Sequence, residues 1–166
     1  MEFSRPSRKT IMQIMMVILA IFAMRMWQQQ DITQGMAPSF TSKTLTGEIV
    51  NSKPVDSKPV LIHFWATWCP VCELENDNIQ SIIEDYQVLN IAIQSGDDEA
   101  IEAYALEHNL KTDNIINDRS GSLTKLFGVK GTPTSFIVNP KGEIQFVEVG
   151  YTTEMGLRLR LWWAGL

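Results

Sequence analysis

Apolar and polar positions divide the chain into a short apolar segment near its start and a longer region where two kinds of pattern alternate. Residues 60–66 are a near-continuous run of β-branched, aliphatic and aromatic side chains, the signature of a strand covered on both faces. Residues 88–93 and 134–138 read the same way. After residue 69 the period changes: Cys72, Glu75, Ile79, Ile82, Ile83 and Tyr86 recur at helical spacing, and Glu73, Asp77, Gln80 and Glu84 fall on the other side. This predicts an amphipathic helix opening at Pro70. Asp97, Asp98 and Glu99 then supply acidic side chains to the first turn of a second helix that reaches about Asn109. Strand, helix, strand and helix in this order make a βαβ unit with parallel strands.

Shorter signals complete the domain. Residues 114–117 fit a short edge strand, and Asp118-Arg119-Ser120-Gly121 a turn into a helix over 123–127. Asn139-Pro140-Lys141-Gly142 is a strong turn between 134–138 and 143–149, which predicts a β-hairpin. Thr152 or Thr153 caps a last helix from Glu154 to about Ala164, with Leu157 and Leu161 inward. Earlier, residues 39–41 and 45–50 flank a Thr-Gly turn and suggest an opening hairpin. The fold class is α/β, a central mixed sheet flanked by helices, with no internal repeat.

Composition fits this picture, because 45% hydrophobic and 20% charged residues describe a globular chain with a real core. The first apolar segment, 11–27, follows Arg5, Arg8 and Lys9 and is interrupted only by Gln13 and Arg25. Its uninterrupted part, 14–24, is shorter than the roughly 20 residues that span a bilayer, so the flanks must contribute, Arg25 by snorkelling and Trp27 at the interface. With no small-x-small cleavage site after it, the segment reads as a retained anchor in preference to a removed signal. The predicted organisation is therefore a cytoplasmic terminus (1–10), a transmembrane anchor (11–27), a linker (28–36) and a domain (37–166) facing an oxidising space such as a bacterial periplasm. Beyond residue 27 the chain holds 10 basic and 18 acidic residues, a formal charge of −8, which argues against a nucleic-acid partner. Methionines 12, 15, 16, 24 and 26 are soft enough to bind copper, but lipid-facing side chains account for them more simply.

The candidate chemistry lies where the first long strand gives way to its helix. Cys69 and Cys72 are the only cysteines. Two residues apart at such a junction, they can close a small disulfide ring and open it again. Cys69 is expected to be exposed, with its thiolate favoured by the positive end of the helix, and to act as the nucleophile. Pro70 suits the first helical position, where its missing N–H has no helical partner. Cys72, one turn inside, would resolve the mixed disulfide by attacking Cys69. The alternatives are a permanent disulfide or two of four zinc ligands, although neither His63 nor His108 has spacing that completes a metal site. No metal or cofactor is required.

The stretch Trp65-Ala66-Thr67-Trp68-Cys69-Pro70-Val71-Cys72 resembles the active-site motif of thioredoxin-like proteins. With the single anchor, the opening hairpin and Gly131-Thr132-Pro133-Thr134-Ser135-Phe136-Ile137, the chain looks like the membrane-tethered TlpA/ResA/CcmG group of thiol:disulfide oxidoreductases. Its Cys-Pro-Val-Cys variant is most similar to the copper-sensitivity suppressor (ScsD) branch. The resemblance covers 37–166. It implies a thioredoxin fold and periplasmic exchange with protein thiols and disulfides, usually as a reductase supplied by a membrane thiol transporter of the DsbD type. It also implies a cis bond at Pro133 facing the cysteines, and substrate docking by Thr132, Pro133, Trp68, Pro70 and Val71.

Two further residues gain meaning from the resemblance. Glu75, three residues after Cys72, matches a glutamate of the reductase group; it is either a helix-start acid or a partly buried one that moves protons for Cys72. His63 stands where thioredoxins carry a buried aspartate. It is either a proton partner or charged stabiliser of the thiols, or a neutral, hydrogen-bonded core residue. His108 is expected at the surface. A disulfide-forming oxidase, a Cu(I)-handling module using the same thiols, and a non-catalytic interaction domain remain open as functions.

Overall fold

The computed structural model describes residues 33–166, together with Lys9, residues 12–17 and Leu19. The chain divides into two units, residues 1–32 and 33–166. In the first, residues 12–17 are helical and exposed. Among the described residues no helix is long and apolar enough to cross a membrane. The predicted anchor and cytoplasmic terminus fall mostly outside the described residues.

The second unit contains β1 (Gly35–Met36), β2 (Thr41–Lys43), β3 (Ile49–Asn51), β4 (Val60–Trp65), α1 (Pro70–Ile83), β5 (Gln87–Ile93), α2 (Asp98–Glu107), β6 (Ile115–Asp118), α3 (Ser122–Phe127), β7 (Thr134–Val138), β8 (Glu143–Val149) and α4 (Glu154–Ala164). Six strands form one sheet in the order β1-β8-β7-β4-β5-β6, and β2-β3 is a separate hairpin. β4, buried at all six positions, is central: it runs parallel to β5 and antiparallel to β7. This is the mixed α/β sheet that the apolar runs predict.

Alternation along β4 sends successive side chains to opposite faces, and each face has its own core. Leu61 joins Ile79 and Ile82 of α1 and Leu157, Leu161 and Ala164 of α4 in one cluster. Trp65, on the same face, meets Tyr104 of α2 at 5.4 Å between ring centroids. On the other face Phe64 packs against Phe127 at 5.4 Å and Phe136 at 5.8 Å, and Phe40, just before β2, closes on Phe127 at 5.9 Å. Burying each such ring contributes about 2–3 kcal/mol, so the sheet is held from both sides at the strand that leads into the cysteines.

Three expectations need correction. Residues 33–36, assigned to the linker, belong to the domain: Thr33 donates to the Phe127 carbonyl at 3.2 Å, and β1 pairs with β8 through Gly35↔Ile144 and Met36↔Glu143. A two-residue edge strand held by backbone bonds has no apolar period to betray it. Tyr86 lies beyond α1, which ends at Ile83, though it still packs on the core cluster. His108 is half-buried, its ring stacked on Tyr104 at 4.1 Å.

The turn predicted at 118–121 turns out to do more than reverse the chain. Gly121 leads into α3 with φ +69° and has no side chain to cap it. Asp118 supplies the cap instead, accepting from Leu123 N at 3.1 Å, Thr124 N at 2.7 Å and Thr124 Oγ1 at 2.6 Å. Asp118→Ala is expected to cost about 2 kcal/mol, read as a lower urea midpoint with an unchanged slope.

Candidate redox site

β4 delivers the chain to Cys69, which is the N-cap of α1 in extended conformation, with Pro70 following as the first helical residue. Cys69 and Cys72 are joined by a disulfide, their Cα atoms 5.3 Å apart. The Cys72 amide, which also donates to the Cys69 carbonyl at 3.1 Å, donates to Cys69 Sγ at 3.2 Å, so the sulfur sits against the positive N-terminal end of α1. In this oxidised form Cys69 is 5% exposed and Cys72 1%. The expected exposure of Cys69 is thus corrected: as the N-cap of α1 its sulfur lies against the first helical turn and is bonded to Cys72. Cys69 nevertheless remains the more accessible of the two.

The turn before the pair is pinned to its parallel neighbour. Thr67 N donates to Ser95 Oγ at 3.1 Å, and the Trp68 indole donates to the Gln94 carbonyl at 3.0 Å. Gln94 takes φ +47° to present that carbonyl. Trp68 keeps 58% of its surface exposed and Val71 39%, and Pro70 is also exposed. The Thr132–Pro133 bond is cis. Thr134, next in the chain, pairs with Phe64, which puts Pro133 at the end of the sheet where β4 runs out to Cys69. Pro133 is buried and Thr132 half-buried. The predicted docking residues therefore share one end of the sheet with the disulfide.

Beneath α1 the sheet carries a polar row. Register places Ser135, His63 and Asn90 side by side on β7, β4 and β5, all on the α1 face. His63 is 2% exposed, and its Nδ1 bonds with Ser135 Oγ at 2.8 Å. Burial lowers its pKa to about 3, so the ring is neutral and cannot act as a charged stabiliser of thiolate. Asn90 is buried, and its Oδ1 lacks a protein partner. A serine and an asparagine inside apolar runs give no functional signal until the strand order aligns them with His63.

Glu75 is fully buried and lies beyond the first turn of α1, which favours the buried acid of its two readings. Its Oε1 accepts from Thr152 N at 3.0 Å, and its Oε2 has no protein partner. Desolvation raises its pKa to about 7, opposed by the Thr152 bond. The carboxyl is therefore poised to gain or lose a proton near neutrality, one helical turn from Cys72. Asn78, a turn further on, donates to the Thr152 carbonyl at 3.0 Å, so α1 holds the loop between β8 and α4 at two points. Among the described residues no group of three or more His, Cys, Asp or Glu side chains converges as a metal site.

A model of the AhpC/TSA family matches residues 33–147. The chain belongs to the AhpC/TSA family. Among curated proteins, a thioredoxin-like protein of Haemophilus influenzae is 32% identical over 126 residues, 75% of this chain and 74% of that protein. Sporulation thiol-disulfide oxidoreductase A of Bacillus subtilis is 28% identical over 162 residues, 90% of this chain and 95% of the relative. The crystal structure of StoA from Bacillus subtilis, at 28% identity, superposes with a TM-score of 0.63 over 74% of this chain and 96% of its own. A thiol:disulfide interchange protein of Chlorobium tepidum matches with a TM-score of 0.70 over 82% of this chain and 99% of its own; at 22% identity it attests the fold alone. This member of the family has the thioredoxin-like fold and is a thiol:disulfide oxidoreductase.

Proposed function

We propose that this oxidoreductase is a reductase of protein disulfides, anchored in the inner membrane with its domain in the periplasm. The observation that carries the direction is the charge under the disulfide. Oxidants of this fold stabilise the Cys thiolate and hence the dithiol. Here His63 is uncharged, and ionisation of the buried Glu75 adds negative charge one turn from Cys72. Negative charge there raises the thiol pKa values and favours giving up electrons.

In the reducing cycle the Cys69 thiolate attacks a substrate disulfide, forming a mixed disulfide and expelling one substrate thiolate. Glu75, as carboxylate, takes the Cys72 proton. The Cys72 thiolate then attacks Cys69 Sγ and releases the second substrate thiolate, so two electrons pass to the substrate and the ring closes. Reopening it takes two electrons and two protons from another dithiol. A membrane thiol transporter of the DsbD type fits that need in an oxidising compartment. The Cys-Pro-Val-Cys resemblance adds a role in copper tolerance.

Equilibration with a dithiothreitol buffer series tests the direction. The expected potential lies near the thioredoxin end of the scale, about −270 mV, with the pair mostly reduced in cells. A value near −120 mV and a pair held oxidised would establish an oxidase instead. Labelling of the reduced thiols by an impermeant maleimide in intact spheroplasts tests the periplasmic placement.

A further inference from the structure

Helix α4 is apolar on two opposite sides. Leu157, Leu161 and Ala164 are buried against the sheet. Met155, Leu159, Trp162, Trp163 and Leu166, just past the helix end, are 76%, 60%, 56%, 60% and 84% exposed. Their spacing, i, i+4, i+7, i+8 and i+11, sets them on one stripe along the whole helix. A contiguous exposed stripe with two tryptophans is a surface made to be covered.

Three features say what covers it. First, the flanking charges are already matched: Arg158 pairs with Asp85 at 2.6 Å and Glu154 at 2.7 Å, and Arg160 pairs with Glu148 at 2.6 Å. Tryptophan beside internally neutralised charge suits the headgroup region of a zwitterionic bilayer, and the net charge of −8 beyond residue 27 disfavours anionic lipid. Second, Trp162 and Leu166 border a hollow of about 500 Å³ that is also lined by Lys58 and Tyr86, room for a headgroup at the edge of the stripe. Third, from Trp27, the end of the apolar segment, to Thr33, bonded to Phe127, the chain spans at most about 22 Å. A domain on so short a tether meets the bilayer at high effective concentration, and a weak apolar contact suffices to orient it. The chain enters through β1 on β8, and the Arg160–Glu148 pair sets α4 over that same strand.

We propose that the Met155, Leu159, Trp162, Trp163 and Leu166 face of α4 lies in the interface of a phospholipid bilayer and fixes the orientation of the domain on the membrane. This rests on the anchored reading of residues 11–27. α4 begins beside the loop held by Glu75 and Asn78, so the redox pair is presented at the side of a membrane-lying domain, open to a partner in the same membrane.

The test uses the full chain in phosphatidylcholine nanodiscs, with and without lipid brominated near the headgroup. The emission difference between wild type and Trp162→Phe/Trp163→Phe isolates the two indoles; both are exposed, so the substitutions spare the fold. The expected difference spectrum is blue-shifted, falls about twofold or more on bromination, and is unchanged by salt. A red-shifted difference, indifferent to bromination and quenched by aqueous acrylamide, overturns the proposal. So does a difference protected from both quenchers only in discs carrying two copies, which would assign the stripe to self-association. Trp27→Phe supplies the control: loss of a bromination-quenched signal there shows an inserted anchor, whereas an unquenched Trp27 overturns the anchor and the docked helix together.

Discussion

A Cys72→Ser chain accumulates a mixed disulfide with its protein substrate, and a Cys69→Ser chain accumulates none. The asymmetry follows from position. Cys69 caps α1, with its sulfur receiving the Cys72 amide and the greater exposure of the pair, whereas Cys72 is sealed one turn inside. With Cys69 removed, the remaining thiol has no path to a substrate disulfide, and turnover falls by roughly a thousandfold or more. With Cys72 removed, the first exchange still occurs and the second does not. Non-reducing electrophoresis with mass spectrometry of the adduct reads both outcomes. A Cys69→Ser chain that lost turnover and yet kept full function in the cell would return the domain to a binding role.

The second large effect is on stability against pH. Glu75 has a pKa of about 7 in the folded chain against an ordinary value of 4.5. The folded state therefore holds a proton that the unfolded state has released between those values. The stability tied to protonated Glu75 is full below about pH 4.5 and is lost as pH rises through 7, a change of about 3 kcal/mol. His63 acts in the opposite sense: its pKa is depressed from 6.5 to about 3, so its contribution is present above 6.5 and is lost as pH falls towards 3. The two slopes oppose each other in mildly acidic solution, so the wild-type curve alone understates both. Subtracting the urea-denaturation curve of oxidised Glu75→Gln isolates the carboxyl. Gln keeps the acceptor for Thr152 N and cannot ionise, and its advantage over wild type is expected to grow with pH. A pH-independent difference would show that Glu75 is ionised throughout.

The central sheet was legible because its strands are long and buried on both faces. β4, β5 and β7 each stand as near-continuous apolar runs, and the period change after Cys69 marks α1. β1 was hidden because Gly35 and Met36 pair only through their backbones. The disulfide was legible from spacing, and the inward position of Glu75 from its three-residue offset to Cys72. Complete burial of Glu75 was not, because that depends on Thr152, 77 residues away, closing over it. Ser135 and Asn90 were illegible for a related reason. Each interrupts an apolar run at a place that means nothing until β4 lies between β7 and β5.

The bonds from Thr67 to Ser95 and from Trp68 to Gln94 bear on how such a site can evolve. They hold the redox turn from outside the ring, whereas Pro70 and Val71 are exposed between the cysteines. The two intervening residues can therefore be exchanged to shift the potential without loosening the frame around the sulfurs. Val71 is the freer of the two to vary, because Pro70 also opens α1.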